Sequence, residues 1–451
     1  MTPPITPEMY ARRRAAVLDR LDGGVLVVRS NPEQARSNDT DFPFRQDSDL
    51  HYLTGFDEPD CVLVLTDAHP DHRFVLFVRP RDPEKETWHG RRAGVDGAKM
   101  RCGADAVYAV DELDAVLPGY LEGAQTLYFT PGLDHTFAWR MEQWLGRLRR
   151  TRPRTGKGPL TRTEHGTLVH EMRLKKTAEE TALLVRACAI SAEAHNAALA
   201  ATRPGMNERE VEALVNYVFR ARGGSAPGYN SIVAGGINAT ILHYTENSMP
   251  LADGDLLLIY AGCEYEGYTA DVTRTFPVGE RFTEAQRAVY DIVLEAQLEA
   301  IAAVKPGARF DDVHHRALDV MVQGLVELGV LVGEPSELIA LKAYQPFYMH
   351  RTSHWLGLDV HDVGPYVDGN GDSRTLEPGM VLTVEPGLYF GDSILEYPEK
   401  YRGIGIRIED DVLVTASGSD VLSKDAVKRV GEIEKIRRES NTGQDSPLPV
   451  S

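Results

Sequence analysis

The sequence has few cysteines, no long apolar run and no concentrated positive charge. Its four cysteines in 451 residues are scattered, and none belongs to a C-x-x-C pair. Cys61 and Cys188 lie in apolar runs, which predicts buried, reduced thiols. The opening residues lack the apolar core of a signal peptide, and no run reaches membrane-spanning length. We therefore expect a cytoplasmic protein with no membrane partner.

The charge balance argues against nucleic acid as a partner. The chain carries 67 acidic and 49 basic residues, for a net charge of −18. The densest basic run, at 147–154, is explained by a solvated helix end and linker. A nucleic-acid surface would need a basic block to offset the acidic excess, and the sequence has none.

Length and composition predict a globular protein of two to three domains. Hydrophobic residues make up 42% of the chain and charged residues 26%, both ordinary values. The first 150 residues alternate β-rich and amphipathic segments, which favours an α/β domain. Predicted helices cover 7–21, 111–117 and 135–149, and predicted strands cover 25–28, 61–66, 73–78 and 126–130.

Irregular segments separate these elements. Residues 41–56 are rich in aromatic and acidic side chains without periodicity, and we interpret them as a loop packed over the sheet. Residues 87–92 (TWHGRR) predict a polar loop with an exposed Trp88. Such a tryptophan more often packs than binds, although aromatic and arginine residues together favour interfaces. A Pro/Gly/Lys linker at 151–159 approaches a domain boundary. We expect domains at 1–170 and 171–440, followed by a disordered tail at 441–451.

The C-terminal half contains an internal repeat. Thr177 with Glu180, and Thr283 with Gln286, form capping boxes ahead of two long predicted helices. In both halves a Pro-Gly pair ends the helix, a second helix follows, and a loop then leads to paired strands. This duplication predicts a pseudo-twofold domain with its site on the shared sheet between the halves. The predicted helices cover 178–200, 208–222, 284–304 and 312–328, with a last helix at 430–438.

The two strand pairs have the same layout. The first is a predicted hairpin of strands 256–260 and 267–274, and the second combines 379–387 with 405–409. When their glycines are aligned, Asp271 falls on Glu409 and Tyr260 falls on Glu385. Two strand pairs built alike would direct acidic groups to one place, and one of the four expected acids is therefore a tyrosine.

The remaining acids suggest a metal site that also uses histidine. Three carboxylates on strand faces suit a hard or borderline divalent ion. Residues 350–361 (HRTSHWLGLDVH) contribute three histidines from a loop between the halves, and His243 precedes the first strand pair. One neutral imidazole would complete a mixed oxygen and nitrogen shell of the kind that Mn, Zn or Co accepts.

These segments resemble the pita-bread metallopeptidases, and specifically their aminopeptidase P (Xaa-Pro aminopeptidase) branch. The resemblance implies an α/β creatinase-like N-terminal domain and an α+β, pseudo-twofold pita-bread catalytic domain. It covers nearly the whole chain, from about residue 9 to 438. The matching segments are FPFRQDSDLHYLTGFDEPD (42–60), TWHGRR (87–92), HYTEN (243–247), GYTADVTRTFPV (267–278), SHWLGLDVHDVG (353–364), LEPGMVLTVEPGLY (376–389) and YRGIGIRIEDDVLVT (401–415).

The resemblance implies a metal site, and one position departs from it. The implied ligands are Asp271, His354, Glu385 and Glu409. The fifth ligand would be an Asp, but this chain has Tyr260, whose phenol ionises only near about pH 10. We therefore expect one tightly held divalent ion rather than two, with Mn²⁺ favoured and Zn²⁺ or Co²⁺ as alternatives, and with Tyr260 at best a poor ligand.

The resemblance also implies catalytic and substrate-binding roles. His243, His361 and Glu385 would be catalytic: His243 donates a hydrogen bond to the oxyanion, His361 contacts the substrate and Glu385 shuttles the proton. The substrate-binding residues would be His350, Tyr366, Arg407 and Trp88, with Trp88 reaching a neighbouring subunit of a homo-oligomer.

The expected substrate is a peptide with proline in second position, whose N-terminal residue is released. Two alternatives remain open. The chain could be a prolidase-like Xaa-Pro dipeptidase, or a non-catalytic pita-bread protein that binds peptides. Retention of His243, His361, Glu385 and Arg407 favours an enzyme, because a binding relic has no physical need for them.

Overall fold

The computed structural model describes residues 5–132, 134–394 and 396–442. The chain divides into two compact units between Arg173 and Leu174. No helix of the described residues is long and apolar enough to cross a membrane. The four cysteines are buried and unpaired among the described residues. The predicted tail lies outside the described residues from 443 onwards, and residues 441 and 442 end the last helix.

The N-terminal unit is built on a six-stranded mixed sheet. Its helices are α1 (Pro7–Leu18), α2 (Ser48–Thr54), α3 (Pro83–His89), α4 (Gly94–Cys102), α5 (Leu113–Glu122), α6 (His135–Thr155) and α7 (Gly166–Leu174). Its strands are β1 (Val25–Arg29), β2 (Ala35–Ser37), β3 (Thr40–Asp41), β4 (Val62–Thr66), β5 (Phe74–Val78), β6 (Ala106–Ala109), β7 (Thr126–Tyr128) and β8 (Thr161–Thr163). A 3-10 helix covers Val110–Glu112.

The sheet order is β6-β5-β4-β1-β7-β8. Strand β4 is antiparallel to both of its neighbours, β1 and β5. The other three pairs in the sheet, β5–β6, β1–β7 and β7–β8, are parallel. Every residue of β4 and β5 is buried, which explains why both are continuous apolar runs rather than alternating ones. The predicted α/β class of this unit is confirmed.

Three predictions for this unit were wrong in detail. The expected loop at 41–56 contains α2, because the Asp47 side chain accepts the Leu50 N–H and caps the helix. The expected loop around Trp88 is the last part of α3, capped by Asp82. Helix α6 continues into the expected linker and ends at Gly156, where φ is +68°.

The C-terminal unit combines helix pairs with small sheets. Its helices are α8 (Ala178–Ala201), α9 (Glu208–Ala221), α10 (Glu284–Ala303), α11 (Phe310–Glu327), α12 (Pro335–Ala340) and α13 (Val430–Thr442). Its strands are β9 (Ala226–Pro227), β10 (Ile232–Gly235), β11 (Leu256–Tyr260), β12 (Cys263–Tyr265), β13 (Tyr268–Thr269), β14 (Thr273–Pro277), β15 (Val381–Val384), β16 (Gly387–Tyr389), β17 (Gly405–Arg407), β18 (Asp410–Val414) and β19 (Ser419–Val421). 3-10 helices cover Gly236–Thr240 and Glu399–Tyr401.

Both predicted capping boxes form, and the repeat is visible in the fold. The Thr177 hydroxyl accepts the Glu180 N–H, and the Thr283 hydroxyl accepts the Gln286 N–H. One half contributes the sheet β10-β11-β14 and the other contributes β15-β18-β19. One apolar core joins the long helices of both halves to these sheets. The Glu409 N–H donates to the Thr273 carbonyl (3.1 Å), so the halves meet beside two of the predicted site positions.

The first predicted hairpin was wrong in its internal arrangement. Strand β11 pairs directly with β14, and Tyr260 lies opposite Thr273. The connection between them forms the separate β12–β13 ladder, so Asp271 lies between strands rather than on a strand face with Thr269. A Cβ on Gly262 would lie 1.7 Å from the Ala270 carbonyl oxygen, so this connection requires glycine.

The second strand pair is interrupted in the same way. Strand β15 pairs with β18, and β16 pairs with β17. Glu385 follows the end of β15, and Glu409 precedes β18. The three acids therefore lie at breaks in the ladders, where a side chain is not held to the pleat of a regular strand.

Candidate active site

A loop after α12 brings His354 to the acids. The His354 carbonyl accepts the Thr383 N–H (3.0 Å), and its N–H donates to the Thr383 hydroxyl (3.1 Å), which fastens the loop to β15. The Nδ1 atom of His354 lies 3.0 Å from the Trp355 carbonyl. A proton on Nδ1 would be held there, which leaves the Nε2 lone pair facing the acids.

The structure brings Asp271, His354 and Glu409 together. One ligand atom from each lies within 4.8 Å of the other two. The His354 Nε2 atom is 3.2 Å from Asp271 Oδ2 and 3.6 Å from Glu385 Oε1. Asp271 and Glu409 are fully buried, and Glu385 is largely so. Three of the residues predicted as ligands thus meet at one place, and the fourth, Glu385, lies beside His354.

The electrostatics of this group fit a divalent cation. Asp271 Oδ1 and Glu409 Oε1 are buried and accept no hydrogen bond from any residue that the structure describes. Burial, reinforced by the Asp271 charge, raises the pKa of Glu385 to about 7 and that of Glu409 well above its usual range. Burial would lower the pKa of His354, but Asp271 and Glu385 raise it to about 9. A cation would satisfy these oxygens and displace that proton.

Tyr260 lies against the same acids. Its hydroxyl is 3.5 Å from Asp271 Oδ2, and its ring stacks on Tyr229 with centroids 4.3 Å apart. The Arg407 guanidinium carbon also lies 4.9 Å from the centroid of the Tyr260 ring. Burial, together with the Asp271 and Glu409 charges, raises the pKa of Tyr260 well above its usual range, which makes it a neutral phenol.

Arg407 belongs to a hydrogen-bonded chain that sequence reasoning did not find in full. Its Nη1 donates to the Tyr389 hydroxyl (3.1 Å), which lies 2.8 Å from His350 Nε2. Its Nε donates to the Thr273 hydroxyl (3.1 Å), and that hydroxyl donates to Glu409 (2.5 Å). Tyr389 and Thr273 lie in the two segments that resemble the family and that also contain Glu385 and Asp271. That closeness in sequence could have indicated that they belong to the site.

A cavity of about 600 Å³ lies beside the acids. Its lining includes the predicted residues His243, His350, His354, His361, Tyr366, Glu385, Arg407 and Tyr260. The rings of His354 and His361 are 4.4 Å apart and nearly perpendicular, and burial followed by the His354 charge lowers the pKa of His361. Phe310, Asp311 and Arg351 also line the cavity and were not predicted.

Trp88, the remaining predicted substrate-binding residue, is not among the residues that line this cavity. It belongs to the N-terminal unit, on α3, and 79% of it is exposed. Its predicted role at a neighbouring subunit's site stays a prediction.

The model of metallopeptidase family M24 matches residues 182–416, and the model of the aminopeptidase P N-terminal domain matches residues 10–128. Buried acids and a histidine on this fold therefore define a metallopeptidase that uses a divalent metal.

Relatives and solved structures narrow the class. The chain is 46% identical to the Xaa-Pro aminopeptidase of Escherichia coli over 96% of this chain and 98% of that protein, and 42% identical to that of Haemophilus influenzae over 95% and 97%. Pseudomonas aeruginosa aminopeptidase PepP superposes with a TM-score of 0.95 at 43% identity, covering 98% of this chain and all of that one. A Zn-substituted E. coli aminopeptidase P in complex with product gives 0.92 at 46% identity, covering 97% and 99%. The chain belongs to metallopeptidase family M24, in its aminopeptidase P branch.

Proposed function

We propose that this chain is a metal-dependent aminopeptidase that releases the N-terminal residue from peptides with proline in second position. The observation that carries the proposal is the convergence of Asp271, His354 and Glu409 within 4.8 Å, beside a cavity of about 600 Å³. The E. coli relative is named for this activity, and a variant of it was solved in complex with substrate.

Asp271, His354, Glu385 and Glu409 would hold the metal. Mn²⁺ is the proposed ion, with Zn²⁺ and Co²⁺ as alternatives, because the set mixes carboxylate oxygens with one imidazole. One tightly held ion is proposed rather than two, because neutral Tyr260 offers no anionic oxygen. When bound, the ion supplies Lewis acidity and makes water acidic enough to attack at neutral pH.

The protein's own residues would bind the peptide and move protons. Glu385 would accept the proton of the attacking water and deliver it to the leaving nitrogen. His243 lines the cavity on its exposed side and would donate a hydrogen bond to the developing oxyanion. His361 and Tyr366 would contact the peptide, and His350 and Arg407, linked through Tyr389, would hold the cavity wall near Glu385.

The substrate follows from the chemistry of proline. A proline in second position has no backbone N–H and forms a tertiary amide, so the cavity must hold it by shape. We propose that the protein assembles as a homo-oligomer in which exposed Trp88 contacts a neighbouring subunit. A cytoplasmic location is proposed from the buried, unpaired cysteines among the described residues.

Paired peptides test the proposal. We expect Mn²⁺-loaded protein to cleave Ala-Pro-Ala at the Ala–Pro bond with a kcat/KM well above that for Ala-Pro, and Glu385→Gln to lose at least about 100-fold of it. Cleavage of the dipeptide alone would identify a dipeptidase. Failure of Mn²⁺, Zn²⁺ and Co²⁺ alike to restore cleavage would leave a peptide-binding role.

A further inference from the structure

A second cluster of metal-ligating side chains lies in the N-terminal unit. It contains Asp49 on α2, His165 just before α7 and His170 on α7. His165 Nε2 is 2.8 Å from Asp49 Oδ2, and His170 Nε2 is 3.1 Å from the same oxygen. Asp49 precedes the two histidines by 116 and 121 positions, and all three residues belong to one compact unit.

The two oxygens of Asp49 have different surroundings. Arg173 Nη1 lies 2.8 Å from Oδ1, so the guanidinium occupies that oxygen and orients the carboxylate. Both imidazoles face Oδ2. The cluster therefore presents one anionic oxygen and two imidazole nitrogens, the donors that zinc prefers.

The cavity beside the cluster favours a cation over an anion. It has a volume of about 220 Å³, and its lining includes the carboxylates of Asp47, Asp134 and Glu164 besides Asp49. Arg29 also lines it, but its guanidinium is bound to Asp60 (2.8 Å) and Asp134 (3.1 Å). With Asp134 bound to Arg29 and Asp49 bound to Arg173, Asp47 and Glu164 supply the acidic excess at this surface.

We propose that Asp49, His165 and His170 bind a divalent cation, with Zn²⁺ preferred, at a site separate from the candidate active site. Asp49 Oδ2 and the two Nε2 atoms are the protein ligands, and water from the adjoining cavity completes the shell. Zinc bonds of about 2.0–2.1 Å place neighbouring donors of a tetrahedral site about 3.4 Å apart, so His165 would move about 0.6 Å and His170 about 0.3 Å away from Asp49 Oδ2. The ion would tie α2 to α7 and act as a structural staple.

Anomalous diffraction tests the site directly. Crystals of the full chain, chelator-treated and then given Zn²⁺ at two equivalents per chain, are measured above and below the zinc absorption edge. We expect a peak within bonding distance of Asp49 Oδ2, His165 Nε2 and His170 Nε2, and a peak at Asp271 and His354 acts as a positive control. A peak at the active site without one at Asp49 would overturn the proposal and identify a hydrogen-bonded cluster.

A variant pair tests the site in solution. Zinc per chain is counted by elemental analysis after dialysis of wild type, His165→Phe and the control His135→Ala, whose histidine is exposed on α6. We expect His165→Phe to bind one zinc fewer than wild type and His135→Ala to match wild type. Equal counts in all three proteins would overturn the proposal. Because peptidase activity does not enter the measurement, its failure and that of the proposed function are distinguishable.

Discussion

Tyr260 differs from the carboxyl groups around it because its side chain is a phenol whose pKa is raised well above its usual range. Its ring lies between Tyr229 and Arg407, and its hydroxyl approaches Asp271. The phenol can donate a hydrogen bond to a carboxylate, whereas an aspartate would repel the carboxylate and attract a cation. The residue at this one position thus determines how much negative charge the site offers to metal.

We predict that Tyr260→Asp raises the number of Mn²⁺ ions bound at saturation by one per chain. The added carboxylate, with Asp271 and Glu409, would form a second set of oxygen ligands. Elemental analysis of the dialysed protein measures the count. Tyr260→Phe is the control, since it removes the hydroxyl without adding charge, and its count should equal that of wild type. An unchanged count in Tyr260→Asp would refute the role given to this residue.

Asp411 supports the site without being one of its proposed ligands. Its buried Oδ2 accepts the backbone N–H of Asp271 (2.9 Å) and lies 3.1 Å from Cys188 Sγ. Burial and the Asp271 charge raise the pKa of Asp411 well above its usual range, and its Oδ2 atom holds the loop that carries Asp271. The position of Asp271 between β13 and β14 depends on this contact with Asp411.

We predict that Asp411→Leu weakens metal binding by about 10–100-fold, the usual effect of losing a residue that orients a ligand. Asp411→Asn, which keeps an acceptor oxygen of similar shape, should retain most of the affinity. Competition with a chelator measures both. Wild-type affinity in a folded Asp411→Leu protein would show that Asp271 does not need this support.

At the scale of elements, the site is made by interruptions of strands. β11 and β14 pair directly, and the chain between them turns back as β12 and β13, which releases Asp271 from the ladder. The tight connection depends on Gly262, whose α-carbon faces the Ala270 carbonyl.

We predict that Gly262→Ala destabilises the protein by about 1–3 kcal/mol, because an added methyl must displace backbone. Chemical denaturation followed by circular dichroism measures the change. Gly418→Ala is the matched control, since a Cβ there meets nothing within 4 Å, and it should change the midpoint little. Equal midpoints for the two variants would mean that the connection relaxes without cost.

At the scale of the whole molecule, buried charges join the two halves of the C-terminal unit. Arg274 on β14 donates to Asp410 on β18 (2.7 Å) and to the Glu409 carbonyl (2.6 Å). Lys428 Nζ is 2.5 Å from Asp410. Burial would raise the pKa of Asp410, but Arg274 and Lys428 lower it to about 2, so this link stays ionised in mild acid. The Asp410 link and the hydrogen bond from the Glu409 N–H to the Thr273 carbonyl together hold the two halves, and the acids that they carry, in fixed positions.

We predict that His195 contributes a loss of stability to the metal-free protein as pH falls from 6.5 to 4, opposed by the raised pKa values of Glu385 and Glu409. This buried imidazole contacts the Ala261 carbonyl (2.9 Å), and burial lowers its pKa from 6.5 to about 4. As pH falls, His195 therefore takes up its proton in the unfolded chain before it does so in the folded protein. The stability that neutral His195 contributes above pH 6.5 is lost toward pH 4, and the loss is about 3 kcal/mol at most.

Denaturation at pH 7 and pH 4.5 measures this effect. His195→Gln, which keeps an N–H donor but does not titrate, should lose less stability over the same interval than wild type. An equal loss in both proteins would assign the acid sensitivity to other groups.

Much of the architecture could be predicted because its signals are local. The Thr177 and Thr283 capping boxes mark helix starts within four residues of chain, and continuous apolar runs mark the buried strands of the N-terminal sheet. The three acids could also be named, since the repeat aligns Asp271 with Glu409 and Tyr260 with Glu385, whereas His354 was named from the family resemblance. Two of the errors were at α2 and at Trp88, where caps formed by Asp47 and Asp82 start short helices inside polar segments. The others were the linker that α6 enters and the inner arrangement of the first hairpin.

The sequence by itself determined the kinds of chemical group, the helix starts and the duplicated layout, because each depends on residues close together in the chain. Only the tertiary structure decided which groups meet. Thr273 reaches Glu409, Asp411 holds Asp271, and Asp49 faces His165 across separations of 136, 140 and 116 residues. Such contacts depend on how whole helices and sheets pack, and no local pattern in the sequence encodes that.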